Sequence, residues 1–375
     1  MTEKNILISA GEASSDMYAA RLATALRERT GAKFFGMGGP RMAEAGIELV
    51  ADYHEVAVVG IAEVLHKIPT VIAVQNRLKR EAKRRNAALA ILVDSPGTHL
   101  GVARRLKEIG VPVGYFIGPQ IWAWRAGRVR VVKRRVNRMV VIFPFEHKIY
   151  RDAGVPVNFV GHPLVDVVRP RVNRTEFAAL HNLNPNKPIV AILPGSRQTE
   201  IKQNYETIVE ACEGLRRTDG DIQFVLAAAP NLKPDLFASG ARRAVEITLL
   251  QGATYDALAA ADCAIVASGT ATVEAALLGT PMVVVYRVKP LSAFILRRMI
   301  RTPYFSMVNL IAGRSVVPEL IQDDFTPAAV EAEVRRLLDS PAARGEMKSS
   351  LAEVRAKLGP GGAIERAADI FAQML

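Results

Sequence analysis

Short apolar runs alternate with segments of helical period along almost the whole 375-residue chain. In the first half, strand-length runs fall at 4–9, 33–37, 88–93, 112–117, 138–142 and 157–160. Between them, 15–29, 60–85, 98–109, 126–136 and 145–152 repeat apolar residues at helical spacing, with a break near Pro69 in the second. Nearly continuous apolar strands separated by amphipathic helices predict a parallel sheet covered on both faces. Residues 161–188, "GHPLVDVVRPRVNRTEFAALHNLNPNKP", carry prolines, asparagines and mixed charge without a strand. They read as a linker with a short helix. The alternation restarts with "PIVAILPGSR", "IQFVLAA", "VEITLL", "CAIVASG" and "PMVVVYR", with helices at 201–216 and 270–278. From 326 onward the pattern is helical, and "GPGG" at 359–362 hinges a last helix.

The fold this predicts is α/β, two doubly wound Rossmann-like domains facing across a cleft. The expected divisions are a first domain at 1–166, a linker at 167–187, a second domain at 188–345, and a tail at 346–375 packing back on the first domain. The length suits two cores better than one. Open sheets of this kind take ligands beyond the carboxyl ends of their strands, so the loops that follow the strands are where chemistry is expected.

Charge changes the picture. The chain holds 49 Lys and Arg against 37 Asp and Glu, a net charge of +12. Residues 1–166 account for 25 of the basic and 15 of the acidic residues, so the excess belongs to the first half. It concentrates in "QNRLKREAKRR" (75–85) and "WRAGRVRVVKRRVNR" (124–138). A solvated face, a nucleic acid and an anionic membrane surface all fit such runs. The two cysteines, Cys212 and Cys263, sit in apolar contexts, which argues against a disulfide framework and for a reducing compartment. No Cys or His spacing suits a metal. The apolar run near the N-terminus is too short for a signal peptide, and no stretch is long enough to span a membrane.

Four loops carry the candidate chemistry. "VASGTATVEAALLGTP" (266–281) ends a strand at Ser268, Gly269 and Thr270 and opens a helix, with Glu274 one turn in. Helix-start N–H groups and hydroxyls suit a phosphate, and Glu274 suits a ribose diol. A plain strand–helix turn with Thr270 as N-cap also fits. "LPGSRQTEI" (193–201) places Gly195, Ser196 and Arg197 at a second strand end, where a guanidinium beside a helix start can hold a diphosphate. Together they read as a nucleoside-diphosphate site; neither is a Walker A loop, and no dinucleotide fingerprint is present. In the first half, "SAGEASSD" (9–16) offers Gly11, Glu12, Ser14, Ser15 and Asp16, a set suited to sugar hydroxyls. "AILVDSPGTHL" (90–100) ends a strand on Asp94, which either faces the cleft or serves a turn with Thr98 as N-cap. "GPQIWAWR" (118–125) sets Trp122 and Trp124 beside Arg125, as a stacking wall or as a buried indole pair. A diphosphate on one wall and carboxylates on the other suggest glycosyl transfer. Arg and the helix dipole would stabilise the leaving group, and a carboxylate would deprotonate the attacking hydroxyl.

With these residues laid out, the sequence resembles the lipid-A-disaccharide synthases. The likeness rests on "SAGEASSD", "GMGGPRM", "VVGIAEVL", "PQIWAWR", "FPFE", "FVGHPLVD", "LPGSR", "SGTATVEAALLGTPMVVVYR" and "MVNLIAGRSVVPELIQ", in order over nearly the whole chain. The resemblance implies a GT-B hexosyltransferase with no metal or other cofactor. It transfers 2,3-diacylglucosamine from UDP to the 6-hydroxyl of 2,3-diacylglucosamine 1-phosphate (lipid X), inverting the anomeric centre to give a β-1,6 link. It places Asn309 with the UDP residues. It implies a peripheral protein on the cytoplasmic face of the inner membrane, with the UDP-sugar, lipid X and an anionic membrane surface as partners and no nucleic acid. A homodimer is an assembly it allows. The segment 58–80, with Val64, Leu65, Ile68, Val71 and Ile72 running into a basic tail, then suits an interfacial helix, although a core-facing helix fits too; "FILRRMIR" (294–301) is a second candidate.

The chain departs from the family at its candidate base. Where the family reads Asp-x-Pro-Asp-Phe-Asn, this chain has "DSPGTHL", so the second carboxylate is Gly97 and the Asn is His99. Asp94 becomes the first candidate base, with His99, Asp16 and Glu12 as the other catalytic candidates. A UDP-sugar 2-epimerase, an RNA-binding protein and an inactive paralogue are the rival readings.

Overall fold

The computed structural model describes residues 4–56, 61–119, 127–230, 232–238, 245–289 and 302–375, with side chains from residue 67 onward in the helix that begins at Ile61. It divides into two compact units, Met1–Pro163 with Gly359–Leu375, and Leu164–Leu358.

The first unit is built on seven parallel strands: β1 (Asn5–Ala10), β2 (Lys33–Gly38), β3 (Glu48–Asp52), β4 (Leu89–Val93), β5 (Val113–Phe116), β6 (Arg138–Val141) and β7 (Val157–Phe159). Their order across the sheet is β3-β2-β1-β4-β5-β6-β7. The chain therefore winds outward from β1 in one direction and from β4 in the other. β4 is wholly buried, and β1 is buried from Ile6 onward, as expected of central strands covered on both faces. Their side chains pack with Leu78 and Val74 of helix Ile61–Arg84 and with Val102 and Leu106 of helix Pro96–Lys107. Only three residues of β3 are even half-buried or better, and this edge strand falls outside the periodicity expected from the sequence.

The final helix, Ala363–Ala372, completes this unit. It lies along helix Ala13–Thr30, and Arg29 pairs with Glu365 at 2.7 Å and Asp369 at 2.6 Å. Phe371 rests on Gly114 of β5, where a Cβ would come within 2.4 Å of its ring. Arg366 donates to the Val160 carbonyl. The tail that joins this unit begins at Gly359, not at 346. Helix Pro341–Lys357 stays with the second unit, where Arg355 donates to the Leu277 carbonyl at 2.9 Å.

The second unit has six parallel strands: β8 (Ile189–Leu193), β9 (Gln223–Ala228), β10 (Ile247–Gln251), β11 (Cys263–Ala267), β12 (Met282–Tyr286) and β13 (Glu319–Ile321), in the order β10-β9-β8-β11-β12-β13. Here the winding reverses between β8 and β11. The stretch expected as a linker is part of this unit. Arg171 forms an ion pair with Asp256 at 2.6 Å. Arg174 donates to the Ala260 carbonyl and to Asp262. These contacts fix helix Arg174–Leu180 against helix Thr254–Ala260. Cys212 and Cys263 are free, buried thiols, and burial pushes both up.

Candidate active site

In each sheet the two strands at the reversal point carry the candidate loops, where this topology opens a crevice beyond the strand ends. In the first unit they follow β1 and β4. Glu12 of the β1 loop is the N-cap of helix Ala13–Thr30, and Ser15 at the third helical position accepts from the Gly11 and Glu12 N–H groups at 3.1 and 3.0 Å. A Cβ on Gly11 would lie 2.4 Å from the Ser95 hydroxyl oxygen, so only glycine lets the two loops meet. That meeting sets the Glu12 carboxyl where its charge bears on Asp94. Burial, and then the charge of Glu12, push the Asp94 carboxyl up to about 7. Asp94 is half-buried and Glu12 is exposed. The pair is therefore a carboxyl cluster reachable by solvent that can take up a proton near neutrality.

The turn after β4 is strained. Asp94 and Ser95 have φ of 53° and 47°, consecutive left-handed residues that are not glycine. Each such residue costs about 1–3 kcal/mol and persists only where the surroundings impose it. Ser95 stands at the N-cap of helix Pro96–Lys107, its carbonyl accepting from Thr98 and His99; Thr98 does not take that place. Gly97 follows in the first turn, exposed, with nothing within 4 Å of where a Cβ would sit.

Two of the catalytic candidates are placed otherwise than expected. His99 is fully buried. Its Nδ1 lies 2.7 Å from the Asp94 carbonyl oxygen and its Nε2 2.9 Å from the Ser9 hydroxyl. A carbonyl only accepts, so Nδ1 carries the hydrogen and Nε2 accepts from Ser9. Burial lowers the imidazole to about 4, and the ring is neutral with both nitrogens engaged. Asp16 is also buried; its carboxylate accepts from the backbone N–H groups of Gly39 at 2.7 Å, Arg41 at 3.0 Å and Met42 at 3.3 Å. It anchors the start of helix Pro40–Glu44, and neither side chain is placed to take a proton from a substrate.

In the second unit the loops follow β8 and β11. Gly195 has φ of +134°, and a Cβ there would lie 2.5 Å from Glu200. The Ser196 and Arg197 N–H groups both donate to the Glu200 carboxylate, at 2.8 and 3.2 Å, and the Arg197 guanidinium pairs with it at 3.2 Å. Glu200 escaped the sequence analysis, although its position three residues after Arg197 is that of a capping partner. The Glu200 carboxylate thus occupies the donors that this turn presents. After β11, Gly269 is the N-cap of helix Thr270–Leu278, and Thr270 stands exposed at its first position rather than as the cap. The Ser268 hydroxyl donates to the Phe305 carbonyl at 3.4 Å. Glu274 is half-buried, raised by burial, and accepts from the Tyr255 hydroxyl at 3.2 Å. Tyr286, at the end of β12, lies in the fields of both Glu200 and Arg197.

Asn309 is not available to a nucleotide. It is fully buried, its amide donating to the Val317 carbonyl at 2.9 Å and Glu319 at 2.8 Å and accepting from Val316 and Val317. Glu319 also accepts from the Phe305 and Ser306 N–H groups, at 2.8 Å each. The pair thus shapes the 305–306 turn against which Ser268 rests. Trp122, Trp124, Arg125 and the segment 294–301 lie outside the described residues, as do the side chains of Val64 and Leu65. Ile68 and Ile72 are exposed at 44% and 42%. Among the described residues no cluster of three or more His, Cys, Asp or Glu could hold a metal, and no helix is long and apolar enough to cross a membrane.

A family model described as lipid-A-disaccharide synthetase matches residues 6–368. The chain is 44% identical to the lipid-A-disaccharide synthase of Geobacter sulfurreducens, covering 100% of this chain and 98% of that one. It is 46% identical to the enzyme of that name from Acidobacterium capsulatum, covering 99% and 96%. Among solved structures it is similar to UDP-GlcNAc 2-epimerase from Neisseria meningitidis bound to UDP-GlcNAc, with a TM-score of 0.66 at 12% identity over 99% and 100% of the chains. It is also similar to MurG of Acinetobacter baumannii, with a TM-score of 0.62 at 14% identity over 99% of each. At such identities these structures speak to the fold alone.

Proposed function

We propose, from the premise that this chain belongs to the lipid-A-disaccharide synthase family, that its two units divide one inverting glycosyl transfer between them. The chain is a glycosyltransferase of GT-B fold acting on UDP-sugar substrates. In the second unit, the Ser196 and Arg197 N–H groups, the Arg197 guanidinium and the start of helix Thr270–Leu278 take the diphosphate of UDP-2,3-diacylglucosamine. Glu274 takes the ribose. In the first unit, ionised Asp94 takes the proton from the 6-hydroxyl of lipid X, with the charge of Glu12 bearing on it. The freed oxygen attacks the anomeric carbon as its bond to UDP breaks. UDP leaves with the electron pair, its charge met by Arg197 and the helix dipole, and the proton stays on Asp94.

The observation that carries the reading is the pairing of chemistries at matching places. A turn whose N–H groups hold the Glu200 carboxylate stands at the reversal point of one sheet, and the carboxyl groups of Asp94 and Glu12 stand at that of the other. The test is turnover of UDP-2,3-diacylglucosamine and lipid X, with disaccharide 1-phosphate and UDP as the expected products. Epimerisation or hydrolysis of UDP-N-acetylglucosamine without an acyl acceptor, and no disaccharide, would overturn it.

Membrane attachment belongs to the same proposal. Ile68 and Ile72 stand exposed on helix Ile61–Arg84, and exposed Arg80, Lys83 and Arg84 follow on the same helix. Apolar contact followed by basic residues suits the cytoplasmic face of the inner membrane. Reversing the charge of Arg80, Lys83 and Arg84 should weaken sedimentation with anionic vesicles at least tenfold, at about 1 kcal/mol per basic residue. Unchanged sedimentation would leave the run as ordinary surface.

A further inference from the structure

We infer that His99 and Tyr115 are positioning residues for the transfer: together they fix the Asp94 carbonyl, and through it the left-handed turn that presents the Asp94 carboxyl. The inference rests on Asp94 being the base. The geometry is unusual in its redundancy. The Asp94 carbonyl accepts from His99 Nδ1 at 2.7 Å and from the Tyr115 hydroxyl at 2.6 Å. One donor satisfies a buried carbonyl; two from different elements, both fully buried, define its direction. Tyr115 comes from β5 and His99 from the first turn of helix Pro96–Lys107, so the carbonyl is held between two rigid elements.

The rest of the turn is held as closely. The Asp94 N–H donates to the Phe116 carbonyl at 3.0 Å, and the Ser9 hydroxyl on β1 orients the His99 ring from its far side at 2.9 Å. Ser95 is packed against Gly11. With φ near +50° at both Asp94 and Ser95, the peptide would relax toward a right-handed turn if released, and the Asp94 side chain would swing with it. Position 97 has no side chain, so Asp94 is the one carboxylate this turn offers. The groups that bear on its charge are Glu12 from the β1 loop and the Ser95 N–H, and the Tyr115 hydroxyl lies in its field.

The full-length chain tests this. Tyr115→Phe removes a single hydroxyl from the clamp. It should lower kcat about 10- to 100-fold, the size expected of a displaced catalytic group. UDP affinity and the KM for the UDP-sugar should not change, and the acid limb of the kcat–pH profile should move. His99→Leu should act in the same way, whereas His99→Asn keeps an N–H donor at the Nδ1 position and should recover most of the loss. If His99→Leu fails to fold, Tyr115→Phe with His99→Asn decides the matter. A fall in kcat that follows lost folded protein, with the acid limb unmoved, would overturn the inference and leave a structural role. Wild-type kcat in Tyr115→Phe beside an inactive Asp94→Asn would overturn the inference alone. Normal turnover in Asp94→Asn would overturn the base assignment and the inference with it.

Discussion

The two sheets put their candidate loops at the same topological place but build them by opposite means. In the second unit the turns are made of glycine: Gly195 has φ of +134°, and Gly269 stands at the N-cap of its helix. In the first unit the corresponding turns hold Asp94, Ser95 and, after β5, the β-branched Ile117 at φ 60°. Glycine takes these conformations without steric penalty and leaves the backbone as the binding group. Asp94 and Ser95 take them at a cost and put side chains there instead, which demands a surrounding clamp. On the proposed reading, one unit binds with its main chain and the other works with a carboxyl group.

The sharpest way to break the comparison is Asp94→Asn. A general base contributes about 10²–10⁴ in rate, so turnover should fall by that factor while UDP affinity measured by calorimetry stays the same. The pH dependence follows from the raised carboxyl. Since Asp94 is pushed up to about 7, kcat should rise with pH through that value as the base ionises. Stability should move the other way. The folded state holds a proton that the unfolded chain releases near pH 4, so the contribution is full below that pH and is lost as pH rises toward 7. Thermal melts at pH 5 and pH 8 should show the decline in the native chain and a smaller one in Asp94→Asn. A kcat profile flat between pH 5 and 8 would remove Asp94 from the proton transfer.

On the other unit the equivalent blow is Arg197→Ala, which should weaken UDP binding about 10- to 100-fold, the range for a hydrogen bond to a charged group. Glu200 sharpens this. Its carboxylate engages the same two N–H groups and the same guanidinium, so UDP bound as proposed would displace it. Glu200→Gln, which keeps the shape and removes the charge, should strengthen UDP binding a few-fold. Weaker binding in Glu200→Gln would mean that the carboxylate supports the loop and does not compete for it.

Much of this was legible in the sequence because buried parallel strands are continuous apolar runs, and every central strand of both sheets was visible as one. The edges were not. β3 and the three-residue β13 bury too little to impose a pattern. The same divide applies to the sites. Strand-end loops announce themselves by their residue types, which pointed to Glu12, Asp94, Ser196 and Arg197. What a buried polar side chain satisfies is set by partners that the local residue pattern does not reveal. Asn309 looked like a ligand residue and is bound to 316, 317 and 319; His99 looked like a base and is bound to Ser9, ninety residues away. Domain limits failed for a related reason. The polar stretch near Arg171 and Arg174 reads as a linker until Asp256 and Asp262 are seen to hold it.

The smallest expected effect is the most discriminating. Gly97 stands where the family carries a second carboxylate, two residues before His99 and exposed, and its missing side chain would meet no atom within 4 Å. Gly97→Asp is therefore sterically free. An acidic residue in the first turn of helix Pro96–Lys107 also favours the helix, by a few tenths of a kcal/mol. If Asp94, clamped and paired with Glu12, already serves as the base, a second carboxylate adds little, and kcat should change by no more than about threefold. A new negative charge nearby would also hold the Asp94 proton more tightly, so the acid limb of the kcat profile should shift to higher pH. A gain of about 100-fold, the scale of a restored general base, would show instead that the native turn lacks its proton acceptor. The strain at Asp94 and Ser95 would then need an explanation other than catalysis.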